Sequence, residues 1–441
     1  MTALFARRAL VAGEELHDVR VEVDEQGRIA ALTAGADAPA GALRLGTVLA
    51  GSGNAHSHAF HRALRGRTHD RGGDFWVWRE EMYRAAALLD PQSYFTLAEA
   101  AFAEMLAAGW TGVAEFHYVH HRPDGIPYAN PNAIGAALVA AARSVGIRLT
   151  LLDTCYLEGG PGKPLEAAQV RFGDGTAERW LERWHALTAL GGDTVTIGAA
   201  LHSVRAVPPA AIATIAAALP EEVPLHIHLS EQPAENGQVL ARYGRTPAQV
   251  LADAGALSPR LSVVHATHLT REDIALLGEA GVTAVFCPTT EADLGDGIGP
   301  ARALADAGAT LALGSDQNAV VDPFLELRAL EAGERLSTRS RGRFTPAELD
   351  AARSAGGYRG LGSLGGLAVG APADLVEIDP ASVRTAGSRL PQLPLAATAA
   401  DVTRVIVGGR VVAEGGLLAD GRAPAGLLSS ALEALRARGR H

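Results

Sequence analysis

His56 and His58 stand two residues apart in the segment GSGNAHSHAFHR, with His61 three further on. On a strand that spacing puts both side chains on one face. The spacing recurs at His226 and His228, followed by Glu231, in PLHIHLSE. His265 and His268 lie in LSVVHATHL, and Asp316 ends TLALGSD. Each has an ordinary structural reading when taken alone. A histidine on a strand is most often a hydrogen-bonded core residue, and an aspartate after a GS turn is most often a helix cap. Their joint placement argues otherwise, because titratable groups set among Val, Leu and Ile are costly to bury without a partner. One divalent cation would satisfy three histidines and an aspartate together. Imidazoles with a single carboxylate suit Zn²⁺, with Fe²⁺ or Mn²⁺ as alternatives.

Residues so far apart in sequence can share an ion only if the fold gathers the ends of several strands. From 49 to 364 the chain alternates strand-like runs with Ala-rich helical runs, several of which stop at glycine. The strand candidates are SGNAHSH, GVAEFHY, RLTLLDTCY, TVTIGAAL, PLHIHLSE, LSVVHATHL, VTAVFCPTT and TLALGSD. Eight such repeats predict an α/β fold of the (β/α)₈ TIM-barrel type, with the chemistry at the carboxyl ends of the strands. A doubly wound sheet would carry a glycine-rich turn after its first strand, and SGNAHSHAFHRA is not one. Residues 1–48 and 365–441 differ in character. Alternation in VRVEVDEQGRIAALTAG and the hairpin VIVGGRVVAEGG mark both ends as β, with a helical tail over 424–441. Two long loops stand out: 66–92, which holds FWVWREEMYRAAALL and is the candidate lid, and the Gly-rich 159–178.

Composition narrows the partners. The 441 residues carry a net charge of −10 and no Lys/Arg-rich run, which argues against nucleic acid and anionic membranes and for a small-molecule ligand. Lys163 is the only lysine. Cys155 and Cys287 lie in apolar runs and read as buried free thiols. The first residues lack a signal-peptide pattern, and no apolar run is long enough to span a bilayer, so the expected compartment is the cytoplasm.

In order and context, NAHSH, HLSE, VVHATH and LGSD resemble the motifs of the amidohydrolase superfamily, in its deaminase and chlorohydrolase branch. The β segments at both ends resemble the small β-sandwich that this family packs against its barrel. HSHAFHRALRG, DFWVWREEMYR, AEFHYVHH, LHSVRAV, LSEQ, VHATH and CPTTEADLGDGI are similar to the N-formimidoyl-L-glutamate deiminase group, enzymes of histidine breakdown. The resemblance covers essentially the whole chain. It implies hydrolysis of N-formimidoyl-L-glutamate to N-formyl-L-glutamate and ammonia, by a homodimer.

The same resemblance makes His56, His58, His228 and Asp316 metal ligands. Three neutral imidazoles and one carboxylate leave a position for water, whose lowered pKa supplies a hydroxide to attack the amidine carbon. Asp316 then accepts a proton, Glu231 protonates the leaving nitrogen, and His265 orients the attacking oxygen. Related binuclear enzymes bridge two metals through a carboxylated lysine on the fourth strand. TVTIGAAL has none, so a single ion is expected. A substrate with two carboxylates needs cations, and Arg205 and Arg79 are the candidates, with Tyr118, His202 and His61 beside them. A purine-like or triazine ring would instead want a neutral aromatic pocket, and a catalytically dead barrel would not need every one of these groups. His61 stands where some members of the group have Gln, and Gln317-Asn318 stand where others have a Ser-His pair. His117, His120 and His121 carry no derivable role, and His226 is a candidate support for the ligands.

Overall fold

The alternating segments at the two ends of the chain and the unbroken apolar runs in its middle build two separate sheets. In the computed structural model, which describes residues 2–69 and 75–439, the first four strands are β1 (Thr2–Val11), β2 (Glu14–Val23), β3 (Ile29–Thr33) and β4 (Leu43–Ala50). The barrel follows with β5 (Ser52–Ser57), β6 (Trp110–His117), β7 (Arg148–Cys155), β8 (Val195–Ser203), β9 (Leu225–Leu229), β10 (Leu261–His265), β11 (Thr283–Phe286) and β12 (Thr310–Leu313). The chain then returns through β13 (Leu375–Ile378), β14 (Val402–Val407), β15 (Arg410–Glu414) and β16 (Leu417–Leu418).

Strands β5 to β12 pair in sequence order, and every pairing is parallel. Parallel order with helical crossovers is the TIM-barrel arrangement. The ring closes between its last and first strands. His56 O accepts from both Ser315 N and Asp316 N, at 3.1 and 3.0 Å, and His58 N donates to Asp316 O at 2.9 Å. Closure brings the backbones so near that Gly314 has no room for a side chain: a Cβ there would lie 2.8 Å from His56 O. The residues that close the ring are thus the ones singled out as ligands.

Helices of the outer layer start and stop as their sequences dictate. Asp90, Thr246, Thr270 and Thr345 each form a capping box with the residue three further on. Gly109 and Gly146 end their helices in the left-handed region. The segment Ala352–Gly360 runs under the barrel, and Gly357 touches Gly53 backbone to backbone.

The terminal strands join in the order β16-β15-β14-β13-β4-β1-β2-β3. This mixed sheet curls over a core of Leu4, Val19, Val21, Leu45, Val48, Leu375 and Ile406. Its β3 edge returns to the chain entering β13: Ile29 N donates to Ala371 O at 2.8 Å, and Gly370 N to Ile29 O at 2.8 Å. Strand β4 runs to Ala50, so the chain passes from this sheet to the barrel at Gly51, two residues beyond the expected 48/49 boundary. The 424–441 tail is a helix over Pro424–Arg438. Residues 70–74 of the expected 66–92 loop lie outside the described residues, as do the chain ends at 1 and 440–441. No helix among the described residues is long and apolar enough to cross a membrane.

Candidate metal centre and substrate cavity

The carboxyl ends of β5, β9, β10 and β12 deliver His56 and His58, His228, His265 and Asp316 to one spot. The backbone turns sharply to do so. Ser230, His265, Ala266, Asp316 and Asn318 all have positive φ, between 41° and 69°. Such conformations cost energy in non-glycine residues and persist where surrounding bonds hold them. Asn318 supplies several of those bonds: its Nδ2 donates to His58 O and Asp316 O, and its Oδ1 accepts from Ser315 Oγ at 2.7 Å.

His56 Nε2 and His228 Nε2 are 3.1 Å apart, and Asp316 Oδ1 lies 3.4 Å from His56 Nε2 and 3.5 Å from His58 Nε2. The outer nitrogens decide which inner ones carry lone pairs. His58 Nδ1–H donates to Phe116 O at 2.9 Å, and His228 Nδ1–H to His202 O at 3.1 Å. Their Nε2 atoms are therefore acceptors: that of His228 faces His56 Nε2, and that of His58 faces the Asp316 carboxylate. Burial holds all three imidazoles neutral: the His58 pKa falls to about 3, and those of His56 and His228 are also well below the usual value. Converging lone pairs on neutral rings beside a carboxylate repel one another unless a cation sits between them. The residues present fit a divalent ion.

His265 behaves differently. Burial opposes its charge, but Glu231, Glu291 and Asp316 outweigh burial and push its pKa up to about 10. Its Nε2 lies 3.8 Å from Glu231 Oε1 and 3.9 Å from Asp316 Oδ2, while Nδ1 faces Glu291 Oε1 at 3.4 Å. Glu291 is itself held by Cys287 N at 2.9 Å.

A cavity of about 480 Å³ opens onto this cluster. His58, His228, Asp316, Glu231 and His265 line its floor. Arg205, Arg79, Tyr118, His202 and His61 line the same space. His56 is fully buried among the ligands and is the one predicted site residue that does not line it. His61 Nε2 and the Tyr118 hydroxyl are hydrogen-bonded at 3.0 Å. Arg205 is anchored by Glu235, whose carboxylate is 3.8 Å from its Nε. Arg79, on the helix Phe75–Ala87, donates from Nε to the Tyr83 hydroxyl at 2.9 Å.

Other singled-out histidines lie elsewhere. His226 is tied to Gly360 O at 2.7 Å, below the ligands. His268 turns outward to Asp296 O at 2.9 Å. His117 and His120 form a separate buried cluster with Asp153, which Arg183 already pairs at 2.8 Å. His121 meets Asp174, a second partner of Arg183. Gln317 bonds Asp293 at 2.7 Å, away from the cavity. Sequence reasoning missed Lys163, Tyr83, Tyr156, Gln169 and Glu235, all of which line the cavity. Two of them gave a signal: Tyr83 lies inside the motif DFWVWREEMYR, and Lys163 is the single lysine of the chain, inside a Gly-rich loop.

Comparison with known proteins decides the family. The amidohydrolase family model matches residues 47–412, most of the chain. The chain belongs to the amidohydrolase family. It is therefore a hydrolytic enzyme of a metal-dependent kind. This amidohydrolase is 42% identical over 393 residues to the formimidoylglutamate deiminase of Pseudomonas aeruginosa, which covers 86% of each chain. An amidohydrolase structure from Brucella melitensis superposes with a TM-score of 0.91 at 33% identity, over 99% of this chain and 100% of that one. An adenosine deaminase from Xanthomonas campestris, solved with bound zinc, gives a TM-score of 0.84 at 26% identity, over 100% of this chain and 98% of that one.

Proposed function

We propose that this amidohydrolase hydrolyses N-formimidoyl-L-glutamate to N-formyl-L-glutamate and ammonia, as a step of histidine degradation. One observation carries the reading: a single cavity joins the His/His/His/Asp cluster to two arginines, Arg79 and Arg205. A linear substrate whose amidine nitrogen carries a chain with two carboxylates matches that pairing. The 42% identical relative that bears the name of this activity supports it.

His56, His58, His228 and Asp316 would hold one divalent ion, most simply Zn²⁺. A bound ion of that kind polarises its ligands and lowers the pKa of water toward neutrality. The chain's own groups do the rest. Arg205 and Arg79 pair with the substrate carboxylates and so orient the amidine over the cluster. Tyr118, His61 and His202 close the side of the cavity around it and exclude bulk water. Asp316 takes the proton of the attacking water at a carboxylate oxygen. His265, carrying its proton on Nε2, donates toward the oxygen that adds to the amidine carbon. Glu231 relays the water's proton to the imino nitrogen and then the proton of the added hydroxyl to the same nitrogen, so that the carbonyl forms as the C–N bond breaks and ammonia leaves.

The segments up to Ala50 and from 365 onward form one domain and 51–364 the catalytic one, with the helix Phe75–Ala87 as a lid. A cytoplasmic homodimer is the expected assembly. An ammonia-release assay on the zinc-loaded protein, across N-formimidoyl-L-glutamate, its aspartate analogue and guanine, tests the function. Release from the first at the highest kcat/KM is expected, and release from the ring alone overturns the reading.

A further inference from the structure

We infer that Gln169 is a positioning residue that fixes Arg79 for carboxylate recognition. This rests on the proposed function, because Arg79 matters here only as a carboxylate ligand.

The loop between β7 and the next helix brings Gln169 to the inner wall of the cavity, where it is 1% exposed. Every hydrogen-bonding atom of its amide is used. Oε1 accepts from Glu166 N at 2.8 Å. Nε2 donates to the Tyr83 hydroxyl at 3.1 Å and to the Tyr156 hydroxyl at 3.0 Å. The Tyr83 hydroxyl also accepts from Arg79 Nε, and the Arg79 guanidinium lies 5.2 Å from the centre of the Tyr83 ring. Two donors thus converge on one phenol oxygen. On the other side, the Tyr156 ring packs 4.3 Å from that of His202, whose carbonyl accepts from the ligand His228.

Gln169 therefore joins two parts that no continuous element connects. Arg79 stands on a helix outside the barrel, whereas Tyr156 and His202 belong to its rim. An arginine has several rotatable bonds, and holding one in place before substrate arrives cuts the ordering cost of binding. The loop is shaped around this amide: a Cβ at Gly159 would lie 2.8 Å from Gln169 Oε1 and 2.6 Å from Pro164 O.

The test uses zinc-loaded full-length protein and the variants Gln169→Leu, Tyr83→Phe, Arg79→Met and Gln169→Leu/Arg79→Met. Gln169→Leu should raise KM for N-formimidoyl-L-glutamate about tenfold with kcat within about threefold. It should weaken calorimetric binding of N-formyl-L-glutamate by a similar factor. The double variant should be no worse than Arg79→Met alone, within about twofold, because both act through one contact. Tyr83→Phe cuts the same chain at its middle and serves if Gln169→Leu fails to fold. A crystal structure of whichever variant folds gives the readout that does not depend on activity, with Arg79 displaced from its wild-type position. Arg79 unmoved with KM within twofold of wild type, or losses that simply add, overturns the inference. A wild-type enzyme inactive on N-formimidoyl-L-glutamate with Arg79 displaced in the variant would instead sink the proposed substrate and leave the positioning role standing.

Discussion

At the scale of single residues, the floor of the cavity separates groups that hold from groups that react. His58 and His228 have their outer nitrogens committed to backbone carbonyls, so each can present only a lone pair. Glu231 is not so committed. It lies beside His265 on the cavity wall, 14% exposed at its side chain. Glu231→Gln keeps the shape and removes the proton carrier. Turnover should fall by about 10²–10⁴-fold with bound metal unchanged, as read by ammonia release together with elemental analysis; turnover within tenfold of wild type would remove Glu231 from the proton path. Arg205 works at the other end of the substrate. Its Nε is buried and makes no hydrogen bond, and the Glu235 carboxylate holds it as an ion pair at 3.8 Å. Arg205→Ala should raise KM about 10²-fold while metal content stays constant. An unchanged KM would take Arg205 out of the binding site.

At the scale of elements, the barrel strands were legible because eight apolar runs alternate with Ala-rich helical runs, and their chemistry because the polar residues cluster at their ends. Which face of each strand looks inward was not legible. A parallel strand covered on both sides is apolar throughout, so its period-2 pattern does not separate the lumen from the helix layer. Hence Phe116 faces the ligands while His117, one residue on, joins the outer cluster with Asp153. Gln169 and Glu235 left no trace either, since a loop has no period and a buried carboxylate on a helix resembles a solvated one. Glu326 is another such case. It sits in the first turn of the helix Pro323–Thr338 and bonds Thr289 at the start of the helix Pro288–Leu294. Burial pushes its pKa from 4.5 up to about 8, against the pull of those bonds. A carboxyl that holds its proton more tightly when folded contributes stability that is fully present below its unfolded pKa and lost as pH rises through the folded one. Wild-type stability should therefore decline from about pH 5 to about pH 8 on this account. Glu326→Gln, neutral throughout, should flatten the plot of Tm against pH in that window. Parallel plots for variant and wild type would show that Glu326 is charged in the folded state.

At the scale of the whole molecule, the chemistry occupies one mouth of the barrel and the joint with the terminal sheet occupies the other. Asp374, just before β13, is 2% exposed and collects four partners from both parts. Arg148 reaches it from the start of β7 at 3.0 and 3.2 Å, and Gly408 N donates to it at 2.7 Å. The Tyr358 hydroxyl donates to it as well and meets Thr111 Oγ1 at 2.8 Å. Its backbone carbonyl accepts from Gly51 N at 2.8 Å, at the point where the chain passes from sheet to barrel. Arg353, fully buried nearby, adds bonds to Ala50 O and Ser52 Oγ. Removing one member of a buried charged network leaves the others uncompensated, at a cost of about 3–5 kcal/mol. Asp374→Ala should thus lower Tm by several degrees. Because the ligands are anchored at the opposite end of the strands, kcat and metal content at 25 °C should match wild type. The form of the transition carries the further information. If the sheet and barrel melt as one unit, calorimetry of the variant shows a single shifted peak. If this network is what couples them, the peak splits in two, with the terminal sheet melting first. A Tm within a degree of wild type would show that the two parts are held together elsewhere.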